Sequence, residues 1–160
     1  MGSNIGLGDY KQFVQPHWSS EEIGNLKVVA EFLLTLRSKD FDRLLAEYSD
    51  HPYVQHNIGM KDGVLGVALE GRRAARHFPE FAIEPKHVYV DADCVLIHSH
   101  MTTRPEHRNR DDKGLNVFDA WRVRDGKIVE HWDAIQPLDF RSRLFALFAG
   151  AFVKNRNARF

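Results

Sequence analysis

The residues of this chain best suited to chemistry are two histidines one residue apart, His98 and His100 in "LIHSHMTT", and a lone aspartate, Asp119 in "NVFDAWRV". On an extended strand alternate residues share a face, so His98 and His100 project together with Leu96. Val95, Ile97, Ser99 and Met101 take the opposite side. Two imidazoles on one face can donate hydrogen bonds, move protons or form half of a metal site. Asp119 stands between Phe118 and Ala120 in a run otherwise suited to packing, where a charge is costly unless it has partners. An apolar surround disfavours the ionised carboxylate and makes it a competent general base near neutral pH. The plainer readings are satisfied core histidines and an exposed aspartate on an edge strand.

The strand after Asp119 returns through "RDGK" to "KIVEHWDAI", and hairpin register decides what faces the carboxylate. A two-residue turn at Asp125 and Gly126 places Asp119 opposite Trp132; a three-residue loop from Arg124 to Gly126 places it opposite His131. Both remain open at the level of sequence. Arg122 and Glu130 read as a cross-strand ion pair. A metal bound by the His-x-His pair would need a third ligand from Asp119, His131 or His56. Neither HExxH nor a cysteine pair accompanies it and the spacing alone is weakly specific, so a metal site ranks second to acid/base chemistry.

Helices come first among the elements that must hold these groups. Ser19 and Glu22 have the spacing of a capping box, followed by Ile23, Leu26, Val29, Ala30, Leu33, Leu34 and Leu36 at helical spacing. Asp40 caps a short second helix carrying Phe41, Leu44 and Leu45. A third runs from Asp62 to Phe78, with Val64, Leu65, Ala68, Leu69, Ala75 and Phe78 expected on its buried side and Gly66 and Gly71 weakening it. From Pro85 the period changes to two. "KHVYVDAD" and "CVLIHSHMTT" form one strand pair, and "NVFDAWRV" and "KIVEHWDAI" another. Helices followed by an antiparallel sheet indicate an α+β domain. Loop 104–114 joins the two pairs. Residues 1–18 read as an N-terminal tail, partly disordered, 19–138 as the domain, and 139–160 as an amphipathic helical extension with Phe140, Leu144, Leu147, Phe148 and Phe152.

Composition narrows the function. The 22 basic and 22 acidic residues balance, so no broad field attracts nucleic acid or an anionic membrane. No apolar run approaches the length of a membrane span, and no signal pattern is visible, so a cytoplasmic protein is expected. The single cysteine, Cys94, excludes an internal disulfide and reads as a small buried hydrophobe.

Three stretches together carry a family resemblance: "YVQHN" after the first helices, "IHSH" in mid-sheet and "FDAWRVRDGKIVEHWDAIQP" near the end. The combination resembles the SnoaL-like polyketide cyclases of the nuclear transport factor 2-like superfamily, over about residues 20 to 138. The resemblance implies a cone-shaped, strongly curved antiparallel sheet wrapped with N-terminal helices around a deep pocket, and a homodimer. It implies a cofactor-independent acid/base enzyme acting on a carbonyl-containing, aromatic or polyketide-like ligand, by aldol condensation, isomerisation or dehydration. Carried over by motif, Asp119 is the catalytic aspartate and His98 and His100 the polar pair beside it. Tyr53, Gln55, His56 and Asn57, with His131 and Trp132, are the substrate-binding candidates. The alternatives are a non-catalytic small-molecule binding protein of the same fold and a metal-dependent enzyme using the His-x-His pair.

Overall fold

In the computed structural model, which describes residues 7–146 and Asn157, Ser19 opens the helical layer with a reciprocal cap. Its Oγ accepts from Glu22 N–H at 3.2 Å, and Glu22 Oε2 accepts from Ser19 N–H at 2.7 Å. Two orphan donors of the helix start are thereby satisfied. Helix α1 (Ser20–Arg37) follows, and Asp40 caps α2 (Phe41–Tyr48) by accepting from Arg43 N–H at 3.0 Å. After the short β1 (Val54–Gln55), Asp62 caps α3 (Gly63–His77). The sheet strands are β2 (Ala82–Asp91), β3 (Cys94–Thr102), β4 (Leu115–Arg124) and β5 (Lys127–Pro137), and α4 (Phe140–Ala146) closes the described chain. Residues 7–13 add a short 3-10 turn within the expected tail. Residues 1–6 and most of the expected C-terminal extension, including Leu147, Phe148 and Phe152, lie outside the described residues.

The five strands form one curved, open sheet in the order β1-β5-β4-β3-β2, antiparallel throughout except that β1 joins β5 in parallel. Helix α1 crosses its inner face and touches β2, β3, β4 and β5. Leu26, Val29, Phe32 and Leu33 pack there on Val95, Ile97, Trp121, Val123 and Ile128. Each such side chain contributes about 1.5–3 kcal/mol by leaving water. Leu34, Leu65 and Leu69 are instead exposed, because their helix positions point away from the sheet. Val67, between two residues expected to be buried, takes the core position in α3. The glycine at 66 is a packing requirement: a Cβ there would lie 1.8 Å from the carbonyl oxygen of Lys61.

The β4–β5 hairpin makes the two-residue turn of the first alternative, but Asp119 faces neither of the residues expected. Asp125 and Gly126 make a two-residue turn with φ of 51° and 71°, the left-handed pair that matches strand twist. Val123 then pairs with Ile128 but Arg122 pairs with Glu130, which leaves Val129 unpaired as a bulge. The extra residue shifts everything beyond it by one. Asp119 consequently faces Asp133, and Trp121 faces His131.

Candidate active site

The site is built where β1 meets β5 on the inner face of the sheet. Gln55 and His131 are parallel neighbours, and Gln55 is fully buried. Its backbone N–H donates to Asp62 Oδ1 at 2.9 Å, so the cap of α3 also anchors β1. Its side-chain Oε1 accepts from Asn57 N–H at 2.9 Å. That bond fixes the amide orientation, so His131 Nδ1, 2.9 Å from the same oxygen, is a donor. The other ring nitrogen, Nε2, is left facing Asp119 Oδ1 at 3.2 Å. A histidine whose Nδ1–H is held in this way can exchange a proton with the carboxylate through Nε2.

Two aromatic rings wall the imidazole. Trp121 lies 5.1 Å and Tyr53 6.4 Å from it, centroid to centroid. The Tyr53 hydroxyl and the Trp121 indole N–H are buried without a hydrogen-bond partner among the described residues. Buried donors left in this state are groups that a ligand's acceptor can satisfy. Burial, then the negative charge of Asp119, pushes the Tyr53 hydroxyl well above its ordinary range, so it stays a proton donor. Asp133 completes the cluster. Its Oδ2 accepts from Asn57 Nδ2, and burial raises its carboxyl above the usual range against the opposing pull of His131 and that hydrogen bond. Asp119, His131 and Asp133 each offer one ligand atom within 4.8 Å of the others, a donor set that a divalent cation can use.

Residues 29–131, well over half of the chain, match the family model of the SnoaL-like domain. The chain belongs to the SnoaL-like family. Among solved structures it resembles a candidate polyketide cyclase from Bacillus cereus ATCC 10987, at 19% identity over 76% of this chain and 81% of that one, with a TM-score of 0.59. TsrD from Streptomyces laurentii is 18% identical over 82% of this chain and 99% of that one, also at 0.59. A candidate SnoaL-like polyketide cyclase from Jannaschia sp. CCS1 is 13% identical over 88% of this chain and all (100%) of that one, at 0.61. No curated protein matches the chain. At such identities the structural likeness speaks to the fold alone.

Within this SnoaL-like sheet, five of the nine expected site residues converge: Asp119, Tyr53, Gln55, Asn57 and His131. The other four do not. Ile97 is the cross-strand partner of Asp119, so His98 and His100 fall on the opposite, outer side of β3. There His98 stacks on Phe118 with centroids 4.3 Å apart, and its Nδ1 lies 3.0 Å from His87 Nδ1. His100 Nε2 donates to the Lys113 carbonyl at 2.7 Å and ties down the long loop. The expectation that these imidazoles share a wall with Asp119 fails because the helices cover the aliphatic face of β3. His56 and Trp132 also turn outward, stacked on each other at 4.8 Å, with His56 Nε2 2.9 Å from Glu130. Arg122 bridges Glu130 and Asp93, as expected of a structural ion pair.

Asp133 and Trp121 are the site residues that sequence reasoning missed. Alternation from His131 would have reached Asp133, which shares its face two residues on. Trp121 stands in the same relation to Asp119. In this SnoaL-like chain no described helix is long and apolar enough to cross a membrane.

Proposed function

We propose that the protein is a cofactor-independent acid/base enzyme acting on a carbonyl compound. The observation that carries this reading is the 3.2 Å approach of His131 Nε2 to Asp119 Oδ1 inside a largely buried cluster with a tyrosine hydroxyl that has no hydrogen-bond partner among the described residues. Asp119 removes a proton from the carbon next to the carbonyl, and His131 relays or holds that proton through Nε2. The resulting enolate oxygen accepts a hydrogen bond from Tyr53 O–H, which burial keeps protonated. Return of the proton to a different atom gives isomerisation. Attack of the enolate carbon on a second carbonyl of the same molecule gives aldol ring closure, with the new alkoxide taking the proton.

The test needs no knowledge of the natural substrate. A panel of aromatic ketones is incubated with the protein in D2O, and loss of the α-proton signal is followed by NMR. Exchange above buffer that disappears in a folded Asp119→Asn variant agrees with the proposal. Exchange equal in the variant removes Asp119 from the mechanism, and saturable ketone binding without any exchange favours the binding-protein alternative. Exchange abolished by EDTA and restored by a divalent cation would reassign Asp119, His131 and Asp133 to a metal.

A further inference from the structure

The inner face of the sheet continues past the Asp119 cluster. Ile97 pairs with Asp119, Ser99 with Val117 and Met101 with Leu115, in unbroken register. Four residues along a strand separate Asp119 from Leu115, about 13 Å at roughly 3.3 Å per residue. There a hollow of about 190 Å³ opens between the end of α3, loop 104–114 and the start of α4. Its apolar lining comes from Phe78, Phe81, Met101 and Leu115.

The polar lining is biased towards positive charge, although the chain as a whole is neutral. Its two acids are already committed. Glu70 accepts from Arg73 Nε–H and Nη2–H, at 2.8 and 2.6 Å, and Asp139 accepts from Gly114 N–H, Ser142 N–H and the Ser142 hydroxyl. Of the lining arginines, Arg73 is committed to Glu70, while Arg104 and Arg141 are held less tightly. Arg141 has no ion-pair partner among the described residues, and Arg104 approaches Glu106 no closer than 3.7 Å. His107 Nδ1 is buried without a hydrogen-bond partner among the described residues.

We propose that this hollow is a binding subsite for the carboxylate end of an apolar, ring-sized ligand, held by Arg104, Arg141 and His107. Guanidinium groups recognise a carboxylate through its charge and its paired oxygens, and the aromatic and thioether side chains receive the carbon skeleton. That the same ligand carries the carbonyl reaching Asp119 rests on the function proposed above. The substrate is then an aromatic keto acid whose carboxylate lies one strand segment, about 13 Å, from the reacting carbon.

Binding of 2-naphthoate to the full chain, compared with neutral 2-naphthamide by calorimetry, tests the subsite without any turnover. Naphthoate should bind about tenfold more tightly than the amide, and Arg104→Gln and Arg141→Gln should each weaken naphthoate about tenfold while leaving the amide unchanged. Equal affinity for acid and amide, insensitivity to both substitutions, or inorganic phosphate displacing naphthoate at equal concentration would overturn the proposal. Because the readout is binding, charge-selective naphthoate uptake alongside ketones that never exchange would sink the catalytic reading and leave the subsite standing.

Discussion

Asp119 and Asp133 are direct cross-strand partners on the inner face of the sheet, brought into register by the unpaired Val129. Two carboxylates so placed repel each other when both carry charge, and the imidazole of His131 lies beside them, its Nε2 3.2 Å from Asp119 Oδ1. The predicted consequences follow from how each neighbour of this pair is held.

Tyr53→Phe removes a buried hydroxyl that has no hydrogen-bond partner among the described residues. The substitution should leave the melting temperature unchanged or raise it, since an unsatisfied buried donor costs about 1–3 kcal/mol. Ketone exchange should fall about a hundredfold if the hydroxyl stabilises an enolate. A lower melting temperature with normal exchange would reverse both assignments.

Asp133→Asn should change the pH dependence of stability. Burial raises the folded-state value of this carboxyl above its unfolded value of about 3.9, so the folded protein binds the proton more tightly. Stability from this group is fully present below the unfolded value and is lost as pH rises through the folded one. The variant should therefore melt above the wild type at pH 7, with the advantage vanishing near pH 3. Thermal unfolding across that range checks it, and a less stable variant at pH 7 would mean an ionised, well-paired Asp133.

Gln55→Met keeps side-chain length but withdraws the acceptor that holds His131 Nδ1–H. Nitrogen-15 NMR should show the Nδ1–H form in the wild type and a mixture in the variant, and ketone exchange should fall about tenfold or more with little change in KM. Retention of the Nδ1–H form in the variant would show that Gln55 does not set it.

His98→Asn should leave ketone exchange within about twofold of the wild type, because the ring lies across the sheet from Asp119. His100→Asn should act on stability, costing about 1 kcal/mol through the lost anchor to Lys113. A large loss of rate at His98 with an intact fold would contradict the facial assignment.

Local signals determined much of this protein from sequence alone. The capping box at Ser19, the helical stripe through Leu26, Val29 and Leu33, and the change of period at Pro85 are readable because each depends on residues near one another in the chain. The same locality made Asp119 conspicuous, as a charge in an apolar strand. Its surroundings were decided elsewhere. Whether His98 or Ile97 shares its face depends on β3–β4 register and on which side the helices cover. A single bulged residue, Val129, moved Asp133 rather than Trp132 or His131 opposite Asp119. Gln55 reaches His131 only because β1, 76 positions earlier, inserts parallel to β5. Alternation assigns residues to two faces but cannot say which face is inside, and a one-residue slip exchanges them. That choice is made by packing between distant segments, so the tertiary structure alone could make it.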